Sequence, residues 1–146
     1  MNLYSTAKSS KKPARRGLAF IKTTTIIFVF FLGIIVFMAN RDLGADFFSV
    51  MAKIPGGDKT GHFMLMGIFS FLMNIILSGS RIHLGPASFL KGSLIVFIIV
   101  TLEELSQIFI SARSCSISDL FFDYAGIFCF GRLALYLKQM TAQTRP

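Results

Sequence analysis

Three short groups of polar residues lie at the edges of long apolar runs: Asp58, Lys59 and His62; Glu103, Glu104 and Gln107; and Arg113, Asp119 and Asp123. These are residue types that do acid–base and ion-binding chemistry. An imidazole moves protons, a carboxylate orients it, and a guanidinium or ammonium holds an anion. Their spacing is helical. Gln107 lies three residues from Glu104 and four from Glu103, so it can share a face with either. Asp119 and Asp123 are four apart, and Gly126 continues their face. Asp58, Glu103, Glu104, Asp119 and Asp123 face only Lys59 and Arg113, with His62 as a possible third cation. Such an acid excess draws either protons or a cationic partner.

Each group also has a plainer reading. His62 is a candidate general base oriented by Asp119 or Glu104, or else a histidine closing one end of a bundle. Ser106, Ser114, Ser116 and Ser118 are nearby, but no G-x-S-x-G pattern marks a nucleophile. A metal set of His62, Glu104, Asp119 and Asp123 is chemically allowed, but one histidine with scattered carboxyls assigns none. No cofactor can be named. Arg113 either pairs two helices or recognises a phosphate or carboxylate. Glu104 with Gln107 reads as a buried polar clamp before a proton relay. The candidate catalytic residues are therefore His62, Glu104 and Asp119. The candidate binding residues are Asp58, Lys59, Gln107, Arg113 and Asp123.

The elements that must position these groups are membrane spans. The chain has 146 residues, 53% of them hydrophobic and 15% charged, with mean hydropathy +0.67. A soluble domain carries about 25% charged residues. Four apolar blocks predict spans at about 23–39, 61–78, 89–110 and 117–137, flanked by basic tails at 1–22 and 138–146. With no water in the bilayer core, each block must satisfy its own backbone and so be helical. The expected fold is an all-α integral membrane protein, a bundle of four transmembrane helices. The first block exceeds a signal-peptide core of about 7–15 residues, and Phe37 spoils a small-x-small cleavage frame ending at Ala39. It reads as an uncleaved span preceded by a disordered, anchoring tail.

Charge sets the expected orientation. The N-terminal tail and the loop at 78–91 carry basic residues and no acid, which marks them as cytoplasmic. All seven acids then fall in the outer half, and both termini lie inside. Nucleic-acid binding is excluded, because the basic residues flank spans and form no face with interleaved aromatics. Cys115 and Cys129 sit at different depths and have no metal-type spacing. Arg132, near the inner end of the last span, is expected to snorkel. Gly67, Ser70 and Asn74 make a small, polar stripe for close helix contact.

Depth turns the polar groups into a site. At 1.5 Å per residue, Glu103 and Glu104 lie about 10 Å inward from Ile110, and Asp123 about 9 Å inward from Ile117. Carboxylates at that depth face the bundle interior and seek partners. Asp58 stands where it can cap the second span or favour its N-terminus.

In order, Asp58-Lys59-x-x-His62, Glu104-x-x-Gln107, Arg113, and Asp119-x-x-x-Asp123-x-x-Gly126 resemble the VanZ-like family, over about residues 58–132. That family patterns as D-K-x-x-H, E-x-x-Q, R, then D-x-x-x-N-x-x-G. Asp123 stands where it usually has asparagine. The resemblance implies a small polytopic protein of the bacterial inner membrane and cell envelope, whose name-giving member is linked to teicoplanin resistance. The expected function is an outward-facing acidic, histidine and arginine pocket. It would bind or modify a lipid-linked or peptidoglycan-related molecule and could affect glycopeptide antibiotic susceptibility. The alternative is a non-catalytic scaffold or accessory subunit whose polar cluster is structural. A third class, an ion path, lacks acidic groups continuing toward the cytoplasmic side. The lipid bilayer is the evident partner, and nothing in the residues speaks to oligomeric state.

Overall fold

A computed structural model describes residues 11–41, 43, 56–109 and 116–143. Among them lie four helices long and apolar enough to cross a membrane. Helix α1 spans Lys11–Asn40, α2 Gly57–Ile76, α3 Lys91–Ser106 and α4 Ile117–Gln143. A 3-10 turn, Gln107–Phe109, follows α3. The all-α expectation holds at this level. α1 starts well inside the segment expected to be a disordered tail, and α4 runs past the expected end of the last span.

One element was not expected. The segment read as a loop forms an antiparallel hairpin of β1 (Arg81–Leu84) and β2 (Ala87–Leu90). Its two-residue turn is Gly85-Pro86, and Gly85 has φ 60. Hairpin turns need a positive φ at the first central position, which glycine accepts. Four-residue strands are too short to announce themselves by alternation. The hairpin takes up Phe89, so α3 begins at Lys91 instead of near residue 89.

The bundle is built on α2, which packs most extensively against α4. These two helices run parallel. His62 meets Asp123, Ser70 meets the Ile127 carbonyl, and Lys138 donates to the Ser78 carbonyl just past α2. α3 runs antiparallel to both, with Ser93 beside Ser70 and Thr101 beside Tyr124. α1 packs chiefly on α2 and leaves Phe20, Ile26, Ile27 and Phe30 exposed. In a bilayer such side chains are satisfied by lipid tails as apolar as themselves. Leu32, Phe69, Val96, Val100 and Ile127 form the apolar core, one or more from each helix.

Glycines set the close approaches. A Cβ on Gly126 would strike the carbonyl oxygen of Phe63, so only hydrogen lets α4 press its backbone on α2. A Cβ on Gly67 would lie 2.6 Å from the Phe130 ring. Between these contacts and the hairpin lies a polar layer. Asn74 donates to the Ser70 carbonyl (2.9 Å) and to Ser93 Oγ (2.8 Å), and Ser70 Oγ donates to the Ile127 carbonyl (3.0 Å). Ser70 and Asn74 belong to the expected stripe. Ser93 completes it from α3.

Candidate functional site

Because α2 and α4 are parallel, both begin at the same end of the bundle. The positive ends of two helix dipoles therefore meet there, and each first turn carries an acid: Asp58 on α2 and Asp119 on α4. Gly56, with φ 72, is the residue capping α2, and no side chain caps it. Asp58 thus serves α2 by its charge and not as a capping acceptor.

His62, one turn into α2, is the centre of the cluster. Its Nδ1 lies 3.1 Å from Oδ1 of Asp123. Asp123 is fully buried, with its side chain 1% exposed. With Nδ1 carrying the ring proton, the imidazole donates to this carboxylate. The other ring nitrogen, Nε2, faces Asp58 Oδ1 and Asp119 Oδ2, each at 4.0 Å. Lys59 Nζ approaches the other oxygen of Asp119 at 3.9 Å. The two carboxylates of α4 thus divide the imidazole: Asp123 holds its inner nitrogen, and Asp119 faces its outer one. Histidine orientation by Asp119 or Glu104, the sequence expectation, falls to Asp123.

Glu104 takes a different part. It is 1% exposed, and its Oε1 accepts the backbone N–H of Ser116, the residue before α4. Ser116 and Asp119 have the S-x-x-D spacing of a capping box. Ser116 Oγ accepts the Asp119 N–H at 3.3 Å, as such a box requires. In a complete box the acid would turn back to the Ser116 N–H. Glu104 from α3 takes that donor instead, which leaves the Asp119 carboxylate to Lys59 and His62. No hydrogen bond or ion pair joins Glu104 to His62 among the described residues. Glu104 is therefore tied to the cluster through the first turn of α4.

Gln107, also 1% exposed, donates from Nε2 to both oxygens of Glu103 at 3.0 Å. The expected Glu104–Gln107 clamp is in fact a Glu103–Gln107 pair. The pair has the i,i+4 spacing of an α-helical turn. Arg113 and Ser114 lie outside the described residues, as does Cys115. Cys129 is free and exposed on α4, and Arg132 is exposed with its guanidinium 5.0 Å from the Phe128 ring. Two contacts escaped the sequence reading: the Ser116 backbone N–H and the Thr101–Tyr124 pair at 2.8 Å. The capping-box spacing at Ser116 was a signal for the first. The second had none, since a threonine and a tyrosine on different spans are common packing residues.

No protein-family model, curated protein or solved structure matches the chain. Its reading therefore stands on the cluster itself. The described acids, Asp58, Glu103, Glu104, Asp119 and Asp123, all gather at the end where α2 and α4 begin. The basic Arg81, Lys91 and Lys138 lie at the opposite end. One ring nitrogen of His62 is fixed by a buried carboxylate. The other faces two carboxylates that are more accessible. Such an arrangement can take up a cation, present a proton acceptor, or lock α2 to α4.

Proposed function

We propose that this is a multi-pass protein of the bacterial inner membrane. Its acidic, histidine-centred site faces outward and binds or modifies a lipid-linked or peptidoglycan-related molecule of the cell envelope. The observation that carries this reading is the convergence of Asp58, Lys59 and His62 with Asp119 and Asp123 at the one end where two helices begin. Apolar side chains beside that end, Phe109, Ile117 and Phe121, are 88%, 84% and 68% exposed, which suits a ligand carrying a lipid tail. The VanZ-like order of Asp58, Lys59, His62, Glu104, Gln107, Arg113, Asp119 and Gly126 supports the envelope setting, with an effect on glycopeptide susceptibility as the cellular readout. The presence of Arg81, Lys91 and Lys138 with no described acid at the other end supports cytoplasmic termini.

The test is single substitution of His62, Glu104, Arg113 and Asp119, with membrane levels of each variant monitored. The expected result is loss of the cellular phenotype at normal protein level for His62 and Asp119. If all four variants keep the phenotype at normal level, the site is not the working part. A second reading, a scaffold whose cluster is structural, draws on the engagement of Glu104 by Ser116 and of His62 by Asp123 between helices. It expects the same substitutions to lower folded protein before they alter the phenotype.

A further inference from the structure

The geometry points to a divalent metal ion held by Asp58, His62 and Asp119, with Asp123 orienting the histidine from behind. One carboxylate oxygen from each aspartate and one ring nitrogen of His62 lie within 4.8 Å of one another. The nitrogen is Nε2, which stands 4.0 Å from both Asp58 Oδ1 and Asp119 Oδ2. An ion bound at about 2.0–2.2 Å with tetrahedral angles separates its ligands by about 3.4 Å. Closing from 4.0 Å is a small movement, and Asp58, 65% exposed on the first turn of α2, has room to make it.

A second observation lies behind the triad. Asp123 is a fully buried carboxylate whose Oδ1 takes His62 Nδ1, while its Oδ2 has no hydrogen-bond partner among the described residues. A buried carboxylate behind the far nitrogen of a histidine is the usual support of a metal-bound imidazole. It fixes the tautomer, turns Nε2 outward and raises the ligand's basicity. Lys59 does not fill the place in front of Nε2, because it approaches Asp119 Oδ1 while Oδ2 faces His62. The imidazole nitrogen and two carboxylates favour manganese, zinc or a similar transition ion over magnesium or calcium, which prefer oxygen ligands. Three protein ligands leave positions open for water or for an oxygen of a bound molecule.

The ion also resolves a conflict within the proposed function. A phosphate-bearing envelope lipid would meet three aspartates at this site and be repelled. A divalent ion between them turns that repulsion into a bridge. This bridging role rests on the proposed function, whereas metal binding itself does not.

The experiment uses the full chain in detergent, stripped with a chelator and titrated with Mn2+ while the free-ion paramagnetic resonance signal is followed. The expected result is saturable binding of one ion per chain, displaced by Zn2+ and retained in excess Mg2+. His62→Ala and Asp119→Asn should weaken it by about tenfold or more, and Asp123→Asn by about 10–100-fold. Asp58→Asn alters an exposed side chain, so its loss of affinity reads binding even where a buried substitution harms folding. Lys59→Gln should leave binding intact or tighten it. Three results would overturn the proposal: no saturable uptake, uptake unchanged in the His62 and Asp119 variants, or uptake only after Arg113→Gln. The last would make Arg113 the counter-charge. Retained Mn2+ binding without any metal-dependent capture of a phosphate lipid would spare the metal site and sink the bridging role.

Discussion

The pairing of His62 with Asp123 joins a partly buried imidazole to a fully buried carboxylate. A buried ion pair adds little net stability, but removing one partner strands the other. His62→Ala should therefore cost about 1–3 kcal/mol, because it leaves the buried Asp123 carboxyl without its hydrogen-bond partner. Asp123→Asn keeps an acceptor for Nδ1–H and should cost about 1 kcal/mol, the gap between a charge-assisted and a neutral bond. In the Asp123→Asn background, His62→Ala should become much milder. Unfolding titrations in detergent on the two single variants and the double variant would show that coupling. Equal effects of His62→Ala in both backgrounds would mean that the pair is not formed. By contrast, the Asp58–His62 contact is exposed on its acidic side, and substituting Asp58 should leave stability nearly unchanged.

Among the helices, the parallel pairing of α2 with α4 brings the site together, and two glycines control its register. They are predicted to behave differently. A methyl on Gly67 would meet the Phe130 ring, a side chain that can be trimmed. Gly67→Ala should therefore destabilise the bundle and be rescued in large part by Phe130→Leu. A methyl on Gly126 would meet the backbone carbonyl of Phe63, which no substitution removes. Gly126→Ala should resist rescue by any change at Phe63, and should disturb His62, one residue before it, more than Gly67→Ala does. Folded yield after detergent extraction measures the first contrast, and metal affinity measures the second. The Asn74–Ser70–Ser93 layer holds α3 to this pair. Hydrogen bonds between spans average about 0.6 kcal/mol, so Ser93→Ala should be mild. Gly92→Ala should be worse, since its methyl would fall 2.6 Å from the Asn74 backbone nitrogen.

For the molecule as a whole, charge is sorted by end. Among the described residues the acids gather where α2 and α4 begin, with Lys59 beside them, and the basic hairpin and Lys138 lie at the other end. With the basic end in the cytoplasm, single cysteines at Gly57 and Ser111 in a cysteine-free background should label from outside, and one at Ser80 should not. The reverse pattern would place the site, and any metal it holds, in contact with the cytoplasm. α1 matters differently at this level. It packs on α2 and carries none of the site residues, so substitutions on its exposed face, such as Phe30→Leu, should leave metal binding unchanged.

Four helices long and apolar enough to cross a membrane, and the clustering of polar groups near one end, were legible in the residue order. Long apolar blocks permit only helices in a bilayer, and within one helix the spacing of Asp119 and Asp123, or of Ser70 and Asn74, defines a shared face. Partners across helices were not legible. That His62 meets Asp123, that Glu104 caps α4, and that Ser93 joins Asn74 all depend on how far one helix slides along the next. That slide is set by contacts such as Gly126 on the Phe63 carbonyl, which involve backbone approach and leave no pattern in spacing. The hairpin turned on one glycine with positive φ. Periodicity within a helix follows from local geometry and can be read from order alone. Register between helices is a property of packing, and the site exists only through it.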